Sequence, residues 1–364
     1  MYTPWLVPSE VEPPAPTAAY SLFAKLSPAI SATTRVALIG THAPVADAVR
    51  EQLYPLAWDF GNLEITDLGN LRKRSVDFAI PLLRELQAAG ILPVLLGAGG
   101  PIRRAQYLAF AELSRQVGVF AVDQYVRISG EEEQREAGNF LDELVYRRQP
   151  PRFHLSCAGS QRHLIDPRLP ALFTQRHYGL YPLGSARADL SELEPPIRDA
   201  DVMMMDIGAL ARAEAPAQKR FHGSGLSLQE GSQLCFYAGN SDRLSSFGIY
   251  GFSGDPARGG EEVALTAAAY AQLCWYFLHG VSLRFGDFPA RTDGMTEFVV
   301  DTRLMGKLTF WYSPRSTRWW VAVPADGQRG EARNRLVACS HRDYTQTSQE
   351  GKLPDRIINA FARY

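Results

Sequence analysis

Two short apolar runs that each stop on a carboxylate constrain this chain more than any other feature. Val117–Asp123 reads VGVFAVD, and Asp201–Gly208 reads DVMMMDIG. Runs of this length without polar alternation are the pattern of strands buried on both faces, which belong to parallel sheets covered by helices. A carboxylate at the C-terminal end of such a strand points into the crevice where open α/β sheets bind ligands. Asp123 and Asp206 are therefore candidate site residues, and their matching contexts predict that they lie close together at one edge of the sheet.

The rest of the chain alternates in the same way. Helices are expected over Ala43–Leu56, Lys73–Ala89 (closed by Gly90), Arg103–Val117, Leu169–His177 and Leu226–Ser241. Strands are expected over Phe153–Ala158, Gly179–Leu183 and Ser246–Gly251. Repeated strand–helix units with short turns demand a parallel sheet and right-handed crossovers. Residues 1–20 are Pro-rich and read as an extended arm, pinned by Trp5. After Gly286 the pattern changes to short, aromatic, alternating segments such as KLTFWYSP and RWWVAVP, the signature of antiparallel strands. Three regions result: an arm over 1–20, an α/β domain over 21–290 and a C-terminal β extension over 291–364. Trp311, Tyr312, Trp319 and Trp320 of the extension read either as an interface cluster or as its own small core.

The order of motifs resembles the arginase/ureohydrolase family, most closely its formimidoylglutamase-like branch. RVALIGTH at Arg35–His42 resembles the family's first strand. GILPVLLGAGG at Gly90–Gly100 resembles the strand ending in Gly-Gly-Asp-His. FAVDQYVR at Phe120–Arg127 resembles Asp-Ala-His-x-Asp, and PLGSARADLSELEPPIRDADVMMMDIGAL at Pro182–Leu210 resembles the segment ending in Asp-x-Asp. GSGLSLQEG at Gly223–Gly231 resembles the family's Gly-Gly-Leu-x-x-Arg-Glu-Gly turn before a helix. The resemblance implies a three-layer α/β/α fold with a central parallel sheet. It also implies a pair of manganese ions that activate a bridging hydroxide, which needs imidazole and bridging carboxylates.

Carried over residue by residue, the implied ligands are mostly replaced. Asp123 and Asp206 remain as residual family ligands. The histidine of the first motif falls on or near Gly100. The histidine of the second becomes Tyr125 and its last aspartate becomes Arg127. The partner of Asp206 becomes Gly208, and the substrate-gripping glutamate falls on Gly251. A guanidinium does not deprotonate in a protein and so does not yield to a metal. Arg127 is thus read as pairing with Asp123 or Asp206 in place of the metals. The alternative is an outward-facing Arg127, with Asp123 capping a helix that starts near Ser129-Gly130-Glu131-Glu132-Glu133. His42 and His222 are candidates to face the crevice.

The expected function is accordingly a non-catalytic, arginase-fold binding or scaffold protein, a pseudoenzyme with no cofactor. The alternative is a formimidoylglutamase-like hydrolase of linear amidine C–N bonds, with manganese in a rebuilt site. A third arrangement, a metal-free enzyme using Asp123, Tyr125 and Arg127, offers no orienting base. Gly97-Ala98-Gly99-Gly100 also reads as a phosphate-cradling turn, though without a Walker lysine or a G-x-G-x-x-G run.

Composition narrows the partners. A formal net charge of −1 over 364 residues argues against a nucleic-acid surface or a polybasic membrane patch. The stretches Arg72-Lys73-Arg74 and Arg147-Arg148 read as solvated faces. Four cysteines, Cys157, Cys235, Cys274 and Cys339, show no metal-type or disulfide spacing and suit a reducing cytoplasm. MYTPWLVPSEVEPP lacks a basic segment followed by a long apolar core, so no signal peptide is expected. Val263–Val281 reads as a buried helix and not as a membrane span. The expected partner is another protein or a second copy of the chain, engaged through the C-terminal extension.

Overall fold

A computed structural model describes residues 2–12, 15–97, 99–111, 116–130, 132, 139–146, 152–218, 222–253, 260–287, 292–325 and 333–363. Ala98, Glu131, Glu133 and Arg147-Arg148, all given a reading above, lie outside them. Nine strands build the main sheet: β1 (Leu6–Val7), β2 (Val36–Gly40), β3 (Ile65–Leu71), β4 (Leu92–Leu96), β5 (Gln116–Val122), β6 (Arg152–Ala158), β7 (Gly179–Tyr181), β8 (Val202–Asp206) and β9 (Ser246–Tyr250). They lie in the order β1-β3-β2-β4-β9-β8-β5-β6-β7. Every pairing is parallel except that of β1, which the N-terminal arm contributes antiparallel to β3.

Side chains alternate across a strand, and here both faces are apolar. Val36, Leu38, Met203 and Met205 pack with the helices Ala43–Leu53, Leu228–Gly239 and Glu261–Ser282 on one side. Ala37, Ile39, Val202 and Met204 pack with Val76–Ala88, Pro101–Ala111 and Phe140–Val145 on the other. That double burial is why the central strands read as continuous apolar runs, and it gives the three-layer α/β/α architecture. Among the described residues no helix is long and apolar enough to cross a membrane.

The site is positioned by four consecutive neighbours in this sheet. β4, β9, β8 and β5 run parallel, so their C-terminal ends open on one edge. The Gly99-Gly100 turn follows β4, Gly251 follows β9, Asp206 ends β8, and Asp123 follows β5.

The C-terminal region is an antiparallel meander of β10 (Thr296–Thr302), β11 (Gly306–Tyr312), β12 (Trp319–Ala325) and β13 (Arg333–Cys339). It is more than the β extension expected from its alternating pattern. Two helices, His341–Gln349 and Asp355–Arg363, follow β13. Ser340 and Asp343 form a reciprocal capping box at the first, and Ile357 and Ala360 of the second are buried against Phe310, Val321 and Val337. Trp319 and Trp320 are buried within the chain.

Arg198 fastens this region to the α/β domain. Its guanidinium donates to Glu194, 2.8 Å away, and to the carbonyls of Trp319 and Cys339 at 3.1–3.3 Å, and it stacks over Trp320. Replacing Arg198 with Met removes its donation to both carbonyls and to Glu194. One-sided loss of a buried ionic contact of this kind costs about 3 kcal/mol. Equilibrium urea denaturation of Arg198→Met should show a drop of that size, and an unchanged midpoint would remove Arg198 from this role.

Candidate functional site

A cavity of about 620 Å³ lies at the C-terminal edge of the sheet, and Asp123, Tyr125, Arg127, Asp206, Gly100 and Gly251 all line it. Each aspartate uses one oxygen to hold its own turn. Asp123 Oδ1 accepts from the Tyr125 N–H at 3.2 Å, and Asp206 Oδ1 accepts from the Gly208 N–H at 2.8 Å. Asp123 therefore closes a tight turn and does not cap a helix. The Oδ2 atoms face the cavity.

Two guanidinium groups meet those oxygens. Arg127 donates through Nε to Asp123 Oδ2 at 2.5 Å and through Nη2 to Asp206 Oδ2 at 2.9 Å. Arg103 donates to the same Asp206 Oδ2, and its Nη1 stands 3.8 Å from Asp123 Oδ2. The Arg127 side chain is 38% exposed and Arg103 only 13%. Arg103 lies over the Tyr250 ring, 4.7 Å from its centre. The Tyr250 hydroxyl donates to Gln106 at 2.7 Å, and Gln106 donates to Ser246 Oγ at 3.0 Å and to the Met203 carbonyl at 3.2 Å. These buried contacts fix the surface on which Arg103 rests. The Arg127 backbone is held by Asn139, whose amide donates to its carbonyl at 2.8 Å.

Glycines make room for this arrangement. Gly251 has φ +92°, and a β-carbon there would stand 2.1 Å from Asp206 Oδ1. No side chain fits at Gly251 while Asp206 keeps its place.

Burial pushes Asp123 up to about 6, and the neighbouring charge of Asp206 adds to the shift; Arg127 and Arg103 offset only part of it. The 2.5 Å contact does not win because Arg127 is shared between two carboxylates and partly screened by water. Asp206 moves the other way. Burial works upward on it, but Arg103, Arg127 and the Gly208 N–H outweigh burial and hold it below the usual range. Arg127 is held further on its charged side, because both carboxylates outweigh its own burial.

Two expected crevice residues do not line the cavity. His42 precedes the helix Ala43–Leu53 as its N-cap. His222 reaches the cavity only through its contact with the Tyr125 hydroxyl. Arg103 escaped the sequence reading although it is the more buried of the two cations. Its signal was present: an arginine in the first turn of a helix opposes the helix dipole and calls for a nearby acid.

No protein-family model matches the sequence, and no curated protein matches it. Solved structures do share the fold. Trypanosoma cruzi formiminoglutamase with Mn²⁺ superposes with a TM-score of 0.58 at 18% identity, covering 72% of this chain and 99% of that one. Bacillus subtilis formimidoylglutamase gives 0.59 at 15%, over 71% and 91%. The agmatine ureohydrolase of Thermoplasma volcanium gives 0.55 at 15%, over 70% and 93%. The α/β domain therefore shares an arginase-like fold with these solved structures.

The aspartate pair makes stability depend on pH. Between about pH 4, the ordinary aspartate value, and about pH 6, native Asp123 keeps a proton that the unfolded chain has lost. Stability contributed by this group therefore falls as pH rises through that window. Asp206 acts oppositely, losing its contribution as pH falls below the ordinary aspartate value. Asp123→Asn should flatten the slope between pH 4 and 6 and raise stability at pH 7 by on the order of 3 kcal/mol at most. Denaturation curves across pH check this; a variant less stable than wild type at pH 7 would reverse the assignment.

Proposed function

We propose that this chain is a metal-independent arginase-fold protein that uses its crevice for binding and not for hydrolysis. The observation that carries the reading is the sharing of Asp206 Oδ2 by Arg103 and Arg127. The residues at the crevice do not fit a pair of divalent cations. Both inward carboxylate oxygens already accept from guanidinium groups, and the outward ones hold backbone turns. A cation placed beside them would meet two fixed positive charges that cannot be shed by deprotonation. Two monodentate carboxylate oxygens are also far fewer donors than two manganese ions take. The collision that any side chain at Gly251 would make with Asp206 points the same way, since that position corresponds to the substrate-gripping glutamate of the resemblance.

In this reading Arg103 and Arg127 supply the positive charge of the crevice, and their pairing with carboxylates offsets part of the cost of burying them. The Tyr125 hydroxyl, which contacts His222, comes from a residue that lines the cavity.

A second reading is supported by the fold comparison: the solved relatives are named as formiminoglutamases and an agmatine ureohydrolase. It is a manganese-dependent hydrolase of linear amidine C–N bonds. It requires both arginines to swing out of the crevice. Elemental analysis after incubation with Mn²⁺ and desalting, together with an assay of ammonia or urea release from formimidoylglutamate and agmatine, separates the two. The binding-protein reading predicts far less than one ion per chain and no turnover. Two retained ions with turnover would establish the hydrolase.

A further inference from the structure

We propose that the outer face of the helix Glu261–Ser282 is an interface between two copies of this chain, packed antiparallel about a two-fold axis beside Gln272. The proposal is independent of the crevice and of what the crevice binds.

The sequence of this helix does not suit a solvent-facing element. Twenty consecutive residues, Val263–Ser282, include no Asp, Glu, Lys or Arg, whereas a solvated surface is about a quarter to a third charged. The inward face accounts for only part of this, with Tyr270, Leu273, Cys274 and Phe277 buried in the core. The outward face is apolar as well. Ala264, Leu265 and Tyr276 are exposed, and Ala268, Gln272 and Trp275 are half-buried. Leu265, Ala268, Gln272, Tyr276, His279 and Leu283 follow one another at steps of three or four, so they form one stripe along the helix. Leu265 is 48% exposed, Tyr276 37% and Leu283 46%, so three large apolar residues of one stripe stand in water in the isolated chain. A contiguous patch of this kind marks an interaction surface.

Bulk is distributed unevenly along the stripe. Aromatic rings gather at its C-terminal half. Trp275 lies 5.1 Å from Tyr276 and 5.4 Å from Phe60 between ring centres, and Trp58 lies 5.0 Å from Phe60. Trp275 Nε1 donates to the Ala57 carbonyl at 2.6 Å, which fixes the indole. The N-terminal half is slight, with Ala264 and Ala268 on either side of Leu265. Antiparallel pairing about Gln272 sets Tyr276 of one copy over Ala268 of the other and His279 opposite Leu265. Each bulky half then meets a small-residue half, which is how ridges enter grooves. Parallel pairing would set bulk against bulk.

Charge and size narrow the occupant further. Glu261 and Glu262 stand at one end of the stripe, and Asp59 stands 4.0 Å from His279 near the other, so charge is confined to the rim, as in protein interfaces. The uncharged centre offers no complement to nucleic acid, to an anionic membrane surface or to a charged peptide. Leu265 to Leu283 spans about 27 Å at 1.5 Å per residue. With the helices Leu228–Gly239 and Ala43–Leu53 packed against it, at about 9 Å from axis to axis, the face is also about 27 Å broad. About 700 Å² per copy results, close to the roughly 800 Å² that each partner buries in a stable interface. Closed two-fold pairs are also the commonest assembly of identical chains.

Size-exclusion chromatography with light scattering on the full chain tests this. Wild type at about 100 µM should show twice the 40.4 kDa mass of one chain, since interfaces of this size reach micromolar affinity or better. Tyr276→Glu puts a charge into the face and should weaken pairing about 30-fold or more, the margin of an interface hot spot. Ala268→Lys should dissociate the pair in the same way, and Gln272→Arg should do so by bringing two like charges together on the axis. Tyr276→Glu and Ala268→Lys combined in one chain set an ammonium of one copy against a carboxylate of the other and should restore the dimer. All these positions lie on the outer face, so far-ultraviolet circular dichroism should show unchanged helix content. A monomeric wild type at about 100 µM, an oligomer that keeps its mass in Tyr276→Glu and Gln272→Arg, or a combined variant as dissociated as the single ones would each overturn the proposal.

Discussion

Asp206 must be neutralised for this fold to close. It ends a central strand, is buried, and stands beside a second buried carboxylate on the neighbouring strand. Two such groups in a low-dielectric edge are strongly unfavourable unless cations pair with them. Arg103 comes from the helix after β4 and Arg127 from the turn after β5, so three separate strand ends are tied together through one oxygen atom. The consequences extend outward from that atom. Tyr250 and Gln106 are arranged to support Arg103, Asn139 holds the Arg127 backbone, and Gly251 has no room for a side chain.

The architecture was legible because burial leaves a simple trace. Met203, Met204 and Met205 alternate between two helix layers, so a strand covered on both faces appears as an uninterrupted apolar run. The same logic placed Asp123 and Asp206 together, since parallel strands put equivalent ends on one edge. What escaped was long-range or context-dependent. Arg103 looks like any helix-face arginine until the partner 103 residues away is known. The helices after β13 were missed because the alternating strands before them dominate the local pattern; the Ser340–Asp343 capping box was the available signal. The four expected crevice residues divided for a related reason. Gly100 and Gly251 lie in the turns after central strands and line the cavity, whereas His42 follows β2, which lies outside the four-strand group, and His222 sits on a loop.

A shared fold does not by itself fix the chemistry of the crevice. The solved structures agree with this chain over about 70% of its length at 15–18% identity, which is a statement about the backbone framework. The framework supplies a crevice at the strand ends and a helix N-terminus beside it. Which charges fill the crevice is decided by a few side chains, and here they are guanidinium groups resting on carboxylates. The C-terminal meander adds a separate small core around Phe310 and Trp319, joined to the domain through Arg198, and none of its described residues lines the cavity.

The central claim is that Arg103 and Asp206 form an energetically coupled buried pair. A double-mutant cycle with Arg103→Met, Asp206→Asn and both together, read by equilibrium denaturation at pH 7, measures that coupling without counting the other contacts of either residue. The account predicts a favourable coupling of about 2 kcal/mol, the double variant losing less stability than the two single variants lose in sum. Coupling within experimental error of zero, with both single variants near wild-type stability, would contradict it.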